Sequence, residues 1–182
     1  SADAGTVKRN RFQVLAALLS YPGDGYAEAA GLLEREHRSA VDGGVAKFAE
    51  FVRRTPLPEL EEAFSGTFDV NPACALDVGW HLFGEDYNRG LFLARIRREM
   101  ARHGLAESAE LPDHLTQVLA LLDRMDSREG TAFAVSCVLP AVEKMRGKLA
   151  EKGSPFEPVL GEVEAVLRER FSPPGVAASA GG

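Results

Sequence analysis

Apolar residues recur at steps of three and four along almost the whole chain. Leu60, Phe64 and Phe68 follow one another at every fourth position, and Met145 and Leu149 show the same spacing near the other end. This spacing places large apolar groups on one face of an α-helix. No stretch shows the strict alternation that is typical of a half-buried strand. The sequence therefore predicts an all-α fold, a single-domain bundle of eight to nine helices.

Proline and glycine divide this pattern into separate helices, because proline disfavours helix in the residue before it. The predicted segments are 12–20, 24–38, 45–54, 58–68, 73–83, 86–103, 111–125, one around 135–149, and 154–170. Asn71 is predicted to be the N-cap of the helix over 73–83, and Pro72 its first position. Pro140 is expected to kink its helix, since it removes a backbone donor. Ser154 and Glu157 have the spacing of a capping box.

Composition fits one soluble domain, assigned to residues 1–171, followed by a flexible tail over 172–182 that has little apolar surface. The net charge of −6 argues against nucleic acid or an anionic membrane as a partner. No segment is apolar for long enough to predict membrane insertion. Cys74 and Cys137 lie far apart and form no Cys-x-x-Cys pair, so we expect neither disulfides nor zinc, and a cytoplasmic location.

Two patterns superficially indicate chemistry, and each also has a structural explanation. Gly79 and Gly84 have the spacing of P-loop glycines, but two carboxylates stand where the lysine and hydroxyl should be and would repel phosphate. Gly79 is better explained by close helix packing. Asp77 and His81 share a helix face and could bind a metal or transfer a proton, but no further ligand is spaced to join them. We therefore expect no cofactor, no metal and no catalytic residue.

The polar turn at 84–90 has two balanced interpretations. It can be a helix connection in which Glu85 or Asp86 caps the next helix and Arg89 pairs locally, or a surface that recognises a peptide. The segment 110–115 is similar: Pro112 and Asp113 are explained by a helix start, whereas Glu110 and His114 are not. Four large aromatic residues have the spacing of any packed helix, which favours the core for each over a binding groove, although a groove between such helices would suit an amphipathic partner helix; they are Trp80, Phe83, Phe64 and Phe68.

The order of three segments carries a family resemblance. FSGTFD at 64–69, GEDYNRG at 84–90 and ELPDHL at 110–115 resemble the redox-enzyme maturation chaperones, and most of all the nitrate reductase assembly chaperones, the NarJ branch of the TorD/DmsD family. After ELPDHL that family commonly has Pro and then Glu, where this chain has Thr116 and Ala120.

The resemblance implies a TorD/NarJ-like helical, cytoplasmic protein that is not an enzyme. Such chaperones bind the catalytic subunit of a molybdenum oxidoreductase such as nitrate reductase, often at its N-terminal peptide, and keep it competent for molybdopterin insertion and complex assembly. A monomer or weak homodimer is expected. Two alternatives stay open: a helical adaptor for another leader peptide or helix, and an acid/base hydrolase using Asp77 and His81. The candidate client-binding residues are Phe64, Phe68, Asp69, Trp80, Glu85, Asp86, Tyr87, Arg89, Glu110, Pro112, Asp113 and His114.

Overall fold

The structure is a computed structural model, which describes residues 9–37 and 43–173. Its helical elements are α1 (Arg11–Leu18), α2 (Tyr26–Glu36), α3 (Gly44–Arg54), α4 (Leu57–Phe68), a 3₁₀ turn (Pro72–Cys74), α5 (Val78–Phe83), α6 (Tyr87–Arg102), α7 (Leu115–Arg124), α8 (Ser127–Phe133), a π-helical turn (Ala134–Val138), α9 (Leu139–Glu151) and α10 (Glu157–Arg170). Since α8, the π turn and α9 are continuous, the described residues form nine helices and no strand. The predicted all-α fold is confirmed.

Some predictions fall partly outside the described residues. The predicted end of the second helix, Arg38, lies outside the described residues, and so do residues 174–182 of the expected tail. In the part of the chain that is described, no helix combines the length and the apolar character that crossing a membrane requires.

The core lies where α1 packs on α2, α7 and α10, and where α9 packs on α10 and α5. Phe156, which is fully buried, lies at the centre of an aromatic cluster. Its ring centroid is 5.7 Å from that of Phe64 and 5.3 Å from that of Phe68. Phe48 and Phe51 contact the same ring from α3. Because burial of each such ring stabilises the fold by about 1.5–3 kcal/mol, this cluster fixes α4 firmly against the rest of the domain.

The prediction of a single helix over 73–83 is wrong. Asn71 does cap the first turn, since its side chain accepts a hydrogen bond from the Ala73 N–H at 3.1 Å. That turn is a short 3₁₀ segment, and the backbone is then extended at Ala75 and Asp77 before α5 begins. The physical reason is tertiary, because the backbone groups of this extended stretch bond to a distant segment that is described below.

The helix around 135–149 is longer than its apolar pattern indicates, and its register changes in the middle. A π-helical turn lies directly before Pro140, where the sequence predicts a kink. Across this turn the buried residues are Ala134, Val138 and Val142. Val135, expected on the buried stripe, is instead 40% exposed.

The capping box predicted at the start of α10 does not form. Ser154 accepts a hydrogen bond from the Phe156 N–H at 3.3 Å, one residue short of the predicted partner. The Glu157 carboxylate does not return to the cap, because it accepts a hydrogen bond from Arg146 Nε at 2.7 Å. Here a tertiary ion pair replaces the predicted local hydrogen bond.

Candidate functional site

A cleft of about 240 Å³, which we call the acidic cleft, brings together two of the three motif segments. It lies between the end of α4 and the start of α7, and the loop after α1 closes one side. Its lining residues are Leu19, Ser20, Tyr21, Phe64, Phe68, Asp69, Leu76, Asp77, Glu110, His114 and Thr116.

The floor of the acidic cleft is aromatic. Phe64 and Phe68 are each only 5% exposed, and their ring centroids lie 4.8 Å apart. Tyr21 packs edge-on against Phe64 at 6.2 Å and is 59% exposed. Both phenylalanines are therefore core residues that also present one edge to the cleft. The core interpretation of these side chains is confirmed, and their role in binding stays a prediction.

The rim of the acidic cleft carries carboxylates from three separate segments, which are Asp69, Asp77 and Glu110. Among the described residues no lysine or arginine lines it. His114 supplies the one basic side chain of the lining, and its Nε2 lies 4.0 Å from Glu110 Oε2. Its Nδ1 is already engaged with the Thr116 hydroxyl at 2.7 Å. A cleft with this charge attracts cationic groups.

Two backbone hydrogen bonds join the extended stretch before α5 to the segment before α7. The Val78 N–H donates to the Asp113 carbonyl at 2.9 Å, and the Leu115 N–H donates to the Leu76 carbonyl at 2.8 Å. Together they form an isolated antiparallel bridge between Asp77 and His114. This bridge sets Asp77 and His114 side by side in the acidic cleft.

Asp113 is completely buried behind the cleft. Its carboxylate accepts a hydrogen bond from the Gly79 N–H at 2.9 Å and pairs with the Arg89 guanidinium, whose Nε and Nη2 both lie 3.3 Å from Oδ2. Since the side chain of Asp77, the N-cap of α5, makes no capping bond, Asp113 caps α5 from a distant segment. Burial raises the pKa of the Asp113 carboxyl, and the charge of Arg89 opposes that shift.

This geometry changes the expected role of Asp113. The sequence places it at the start of α7, favoured by the helix dipole, but the N-cap there is His114, whose Nδ1 accepts a hydrogen bond from the Thr116 N–H at 3.3 Å. With no exposed surface, Asp113 cannot touch a ligand in this structure. It positions Gly79 and Arg89, and through them the back wall of the cleft.

Gly79 has a steric reason to be glycine. A Cβ at this position would lie 2.7 Å from Asp113 Oδ2 and 3.0 Å from the Phe92 ring. The close packing that the sequence favours over a phosphate loop is therefore what the structure shows. Only a residue without a side chain lets the carboxylate reach the Gly79 N–H.

Trp80 and His81 anchor the segment that precedes α5. The Trp80 indole N–H donates to the Pro72 carbonyl at 3.0 Å, and His81 Nε2 lies 2.6 Å from the Ala75 carbonyl, so Nε2 carries the proton. Burial is the main reason that the pKa of His81 lies below its ordinary value. Because Nε2 is engaged with backbone, it is not free to act as a base in the pairing with Asp77 that the sequence suggests. Trp80 and Phe83 are only partly buried.

The turn at 84–90 lies outside the lining of the acidic cleft. Asp86 caps α6, accepting a hydrogen bond from the Asn88 N–H at 2.8 Å, as one interpretation of the sequence expects. Glu85 and Tyr87 are exposed, and Tyr87 is 80% exposed. Among the described residues, Arg89 is the one that links this turn to the cleft, through Asp113.

The structure thus divides the twelve candidate residues into three groups. The first lines the cleft, the second lies directly behind it, and the third lies away from it. In that order they are Phe64, Phe68, Asp69, Glu110 and His114; Arg89 and Asp113; and Trp80, Glu85, Asp86, Tyr87 and Pro112. The cleft residues Tyr21, Asp77 and Thr116 were not predicted to bind a client, since no local pattern shows that these distant positions meet.

One comparison with known proteins identifies a family. The family model described as nitrate reductase delta subunit matches residues 34–159, which is more than half of the chain. The match includes α4, α5 and α6 and the segment that carries Glu110 and His114. No curated protein matches the chain.

Proposed function

The chain belongs to the nitrate reductase delta subunit family, and we propose that it is a system-specific assembly chaperone for the catalytic subunit of a molybdenum oxidoreductase such as nitrate reductase. Membership of this family supports a general role in molybdoenzyme assembly. The family consists of maturation factors rather than enzymes. The finer proposal is that this chain binds the N-terminal peptide of its client and keeps the client competent for molybdopterin insertion and complex assembly.

One observation carries the proposal: two segments that bear the family resemblance converge on a cleft with an aromatic floor and an acidic rim. In the proposed complex, an apolar side chain of the client rests on Tyr21, Phe64 and Phe68. Basic residues that flank it approach Asp69 and Glu110. Apolar contact supplies most of the affinity, and the carboxylates select for charge and speed the encounter.

The buried pair of Arg89 and Asp113 contributes indirectly. It holds the start of α5 against the segment before α7, so the distance between the carboxylates of Asp77 and Glu110 is set before the client arrives. A preformed site avoids the entropic cost of ordering loops on binding. We therefore assign Arg89 and Asp113 as positioning residues and the rim carboxylates as contacts.

The direct test is calorimetry with a synthetic peptide that copies the N-terminus of the nitrate reductase catalytic subunit from the same cell. Removing two rim charges, in Asp69→Asn with Glu110→Gln, should weaken binding about tenfold, because two charge-assisted contacts are lost. Glu62→Gln is the single-charge control. It removes one charge from the exposed side of α4, outside the cleft lining.

Unchanged affinity in the double variant, with the fold intact by circular dichroism, would place the client elsewhere. A second experiment addresses the role itself. The tagged chain should co-purify with a molybdenum enzyme's catalytic subunit from the native cell, and that subunit should lack molybdopterin when the chain is deleted. Co-purification with an unrelated protein, and normal cofactor content in the deletion strain, would favour the helical adaptor. A cytoplasmic monomer or weak homodimer remains part of the proposal.

A further inference from the structure

A second and larger concavity lies between α6 and α8. We call it the α6–α8 groove, and its volume is about 510 Å³. It is lined by Phe83, Phe92, Arg95, Ile96, Glu99, Leu121, Met125, Arg128, Glu129, Ala132, Phe133, Ser136 and Cys137. None of these residues lines the acidic cleft.

The floor of the groove is apolar and aromatic. The ring centroids of Phe83 and Phe92 lie 5.5 Å apart, and those of Phe92 and Phe133 lie 6.3 Å apart. Ile96 and Met125 complete the floor and are themselves almost fully buried. Phe83 and Phe133 are only partly buried, so the groove keeps aromatic surface in contact with water. Exposed, contiguous apolar surface of this kind is a feature of binding sites.

With Arg102 included, the charged side chains around the groove sum to one net positive charge. Arg95 on α6 and Arg128 on α8 both reach the groove, and neither guanidinium makes an ion pair or a hydrogen bond to any described residue. The two carboxylates, Glu99 and Glu129, share one arginine, because Arg102 bonds to both of them and balances one of their two negative charges. Three arginines thus face two glutamates, and the two free cations are those that line the groove.

We propose that the α6–α8 groove is a second docking site, and that its occupant is an amphipathic helix of a partner protein with acidic residues flanking its apolar face. The apolar side of such a helix would cover Phe83, Phe92 and Phe133. Its carboxylates would pair with Arg95 and Arg128, which have no partner within the described chain. The acidic cleft selects for the opposite charge, so the two sites discriminate between their ligands.

Cys137 provides a reporter within the wild-type chain. Its thiol is half-buried in the groove wall, whereas Cys74 is fully buried in the core. A helix seated in the groove should therefore shield Cys137 from a thiol-alkylating reagent and leave Cys74 unreactive throughout. Mass spectrometry of the digested protein distinguishes the two sites.

The probes are two synthetic helical peptides of about four turns with the same Leu/Phe face, one flanked by Glu and the other by Lys. We expect the Glu-flanked peptide to slow alkylation of Cys137 about tenfold and the Lys-flanked peptide to protect far less. Arg95→Glu with Arg128→Glu should reverse this preference. Binding of the client's N-terminal peptide to the acidic cleft should be unchanged in that variant, so this test and that of the proposed function fail independently.

Three results would overturn the proposal. Equal protection by both peptides, or by neither, would show that the arginines do not select an acidic helix. Protection that the double arginine variant leaves unchanged, with its helical signal intact, would place the peptide elsewhere. Loss of Cys137 reactivity when the concentration of the chain alone is raised would assign the groove to a second copy of this chain.

Discussion

The acidic cleft and the α6–α8 groove differ in what maintains their shape. The back wall of the cleft depends on a few polar links: two backbone hydrogen bonds at the bridge between Asp77 and His114, and one largely buried ion pair between Arg89 and Asp113. The groove depends on many apolar contacts along long helices. A polar network concentrates sensitivity in single groups, whereas apolar packing spreads it over many. Single substitutions should therefore disturb the cleft far more readily than the groove.

The largest effect on the free energy of unfolding is expected when the ion pair behind the cleft is broken. Arg89→Ala leaves the Asp113 carboxylate buried with the Gly79 N–H as its remaining partner, and should lower the free energy of unfolding by about 3 kcal/mol. Chemical denaturation measures this. Adding Asp113→Asn removes the uncompensated charge and should recover part of the loss. If the double variant is less stable than Arg89→Ala, the buried charge is not the cause. The groove peptide should bind both variants normally.

The pair also predicts a pH dependence in the single variant. Because the folded-state pKa of Asp113 is raised, its protonated form contributes stability that is fully present below the ordinary value of 3.8 and lost as the pH rises through the folded pKa. Without Arg89 the pKa should rise further, so Arg89→Ala should lose this contribution over a wider range of pH than the wild type. Denaturation midpoints across the acid range, compared with those of the double variant, give the measurement.

A smaller effect is expected from two matched glycines. Gly79→Ala forces a methyl group against the Asp113 carboxylate and the Phe92 ring, and should destabilise the fold by about 2 kcal/mol. Gly90 lies in α6, where a Cβ meets nothing within 4 Å. Gly90→Ala should therefore stabilise by about 0.5–1 kcal/mol through helix propensity. Thermal melting of both variants checks the contrast. Equal shifts in one direction would show that the tight contact at Gly79 is not decisive.

Acidification should lower the stability of the segment before α5, which His81 anchors. Burial lowers the folded-state pKa of His81 below its ordinary value of 6.5, and Lys144 acts in the same direction while Asp77 and Asp113 oppose it. The stability that the neutral ring contributes is present above pH 6.5 and is lost as the pH falls through the folded pKa. His81→Gln keeps a hydrogen-bond donor but does not titrate, so its unfolding free energy should be flatter in this range. Identical pH profiles would exclude His81 as the source.

The smallest effect on stability is expected at the cleft rim. Glu110 is exposed, and its distance to His114 is at the limit of an ion pair. Glu110→Gln should change the free energy of unfolding by less than about 0.5 kcal/mol. It should still lower the affinity for the client peptide. A large loss of stability would mean that Glu110 belongs to the framework with Arg89 and Asp113.

The sequence predicts those elements whose partners are close in the chain. Helical periodicity located every long helix, and Asp86 could be assigned as a cap because Asn88, its partner, is two residues away. Prediction from the sequence fails where a distant segment competes for the same hydrogen-bonding groups. The 73–83 helix is divided because Leu76 and Val78 bond near Asp113, and Glu157 leaves its capping box for Arg146.

The site follows the same rule. Phe64, Phe68, Glu110 and His114 could be named from motif segments that carry a family resemblance. Tyr21 and Thr116 join the cleft only through tertiary packing, which no local pattern reveals. Asp113 was selected as a contact, yet it is buried, because a sequence shows that a carboxylate is present and not which way it faces.

The tertiary capping of α5 has a consequence for the order of events during synthesis. A helix of six residues does not persist alone in water, because nucleation fixes several residues for very few hydrogen bonds. Its cap, Asp113, leaves the ribosome more than thirty residues later. α1 to α4 can therefore form while the acidic cleft still lacks its back wall. Under the proposed function, the nascent chain cannot engage a client through this cleft until the segment at 113–115 has been made, by which point 115 of the 182 residues have been joined.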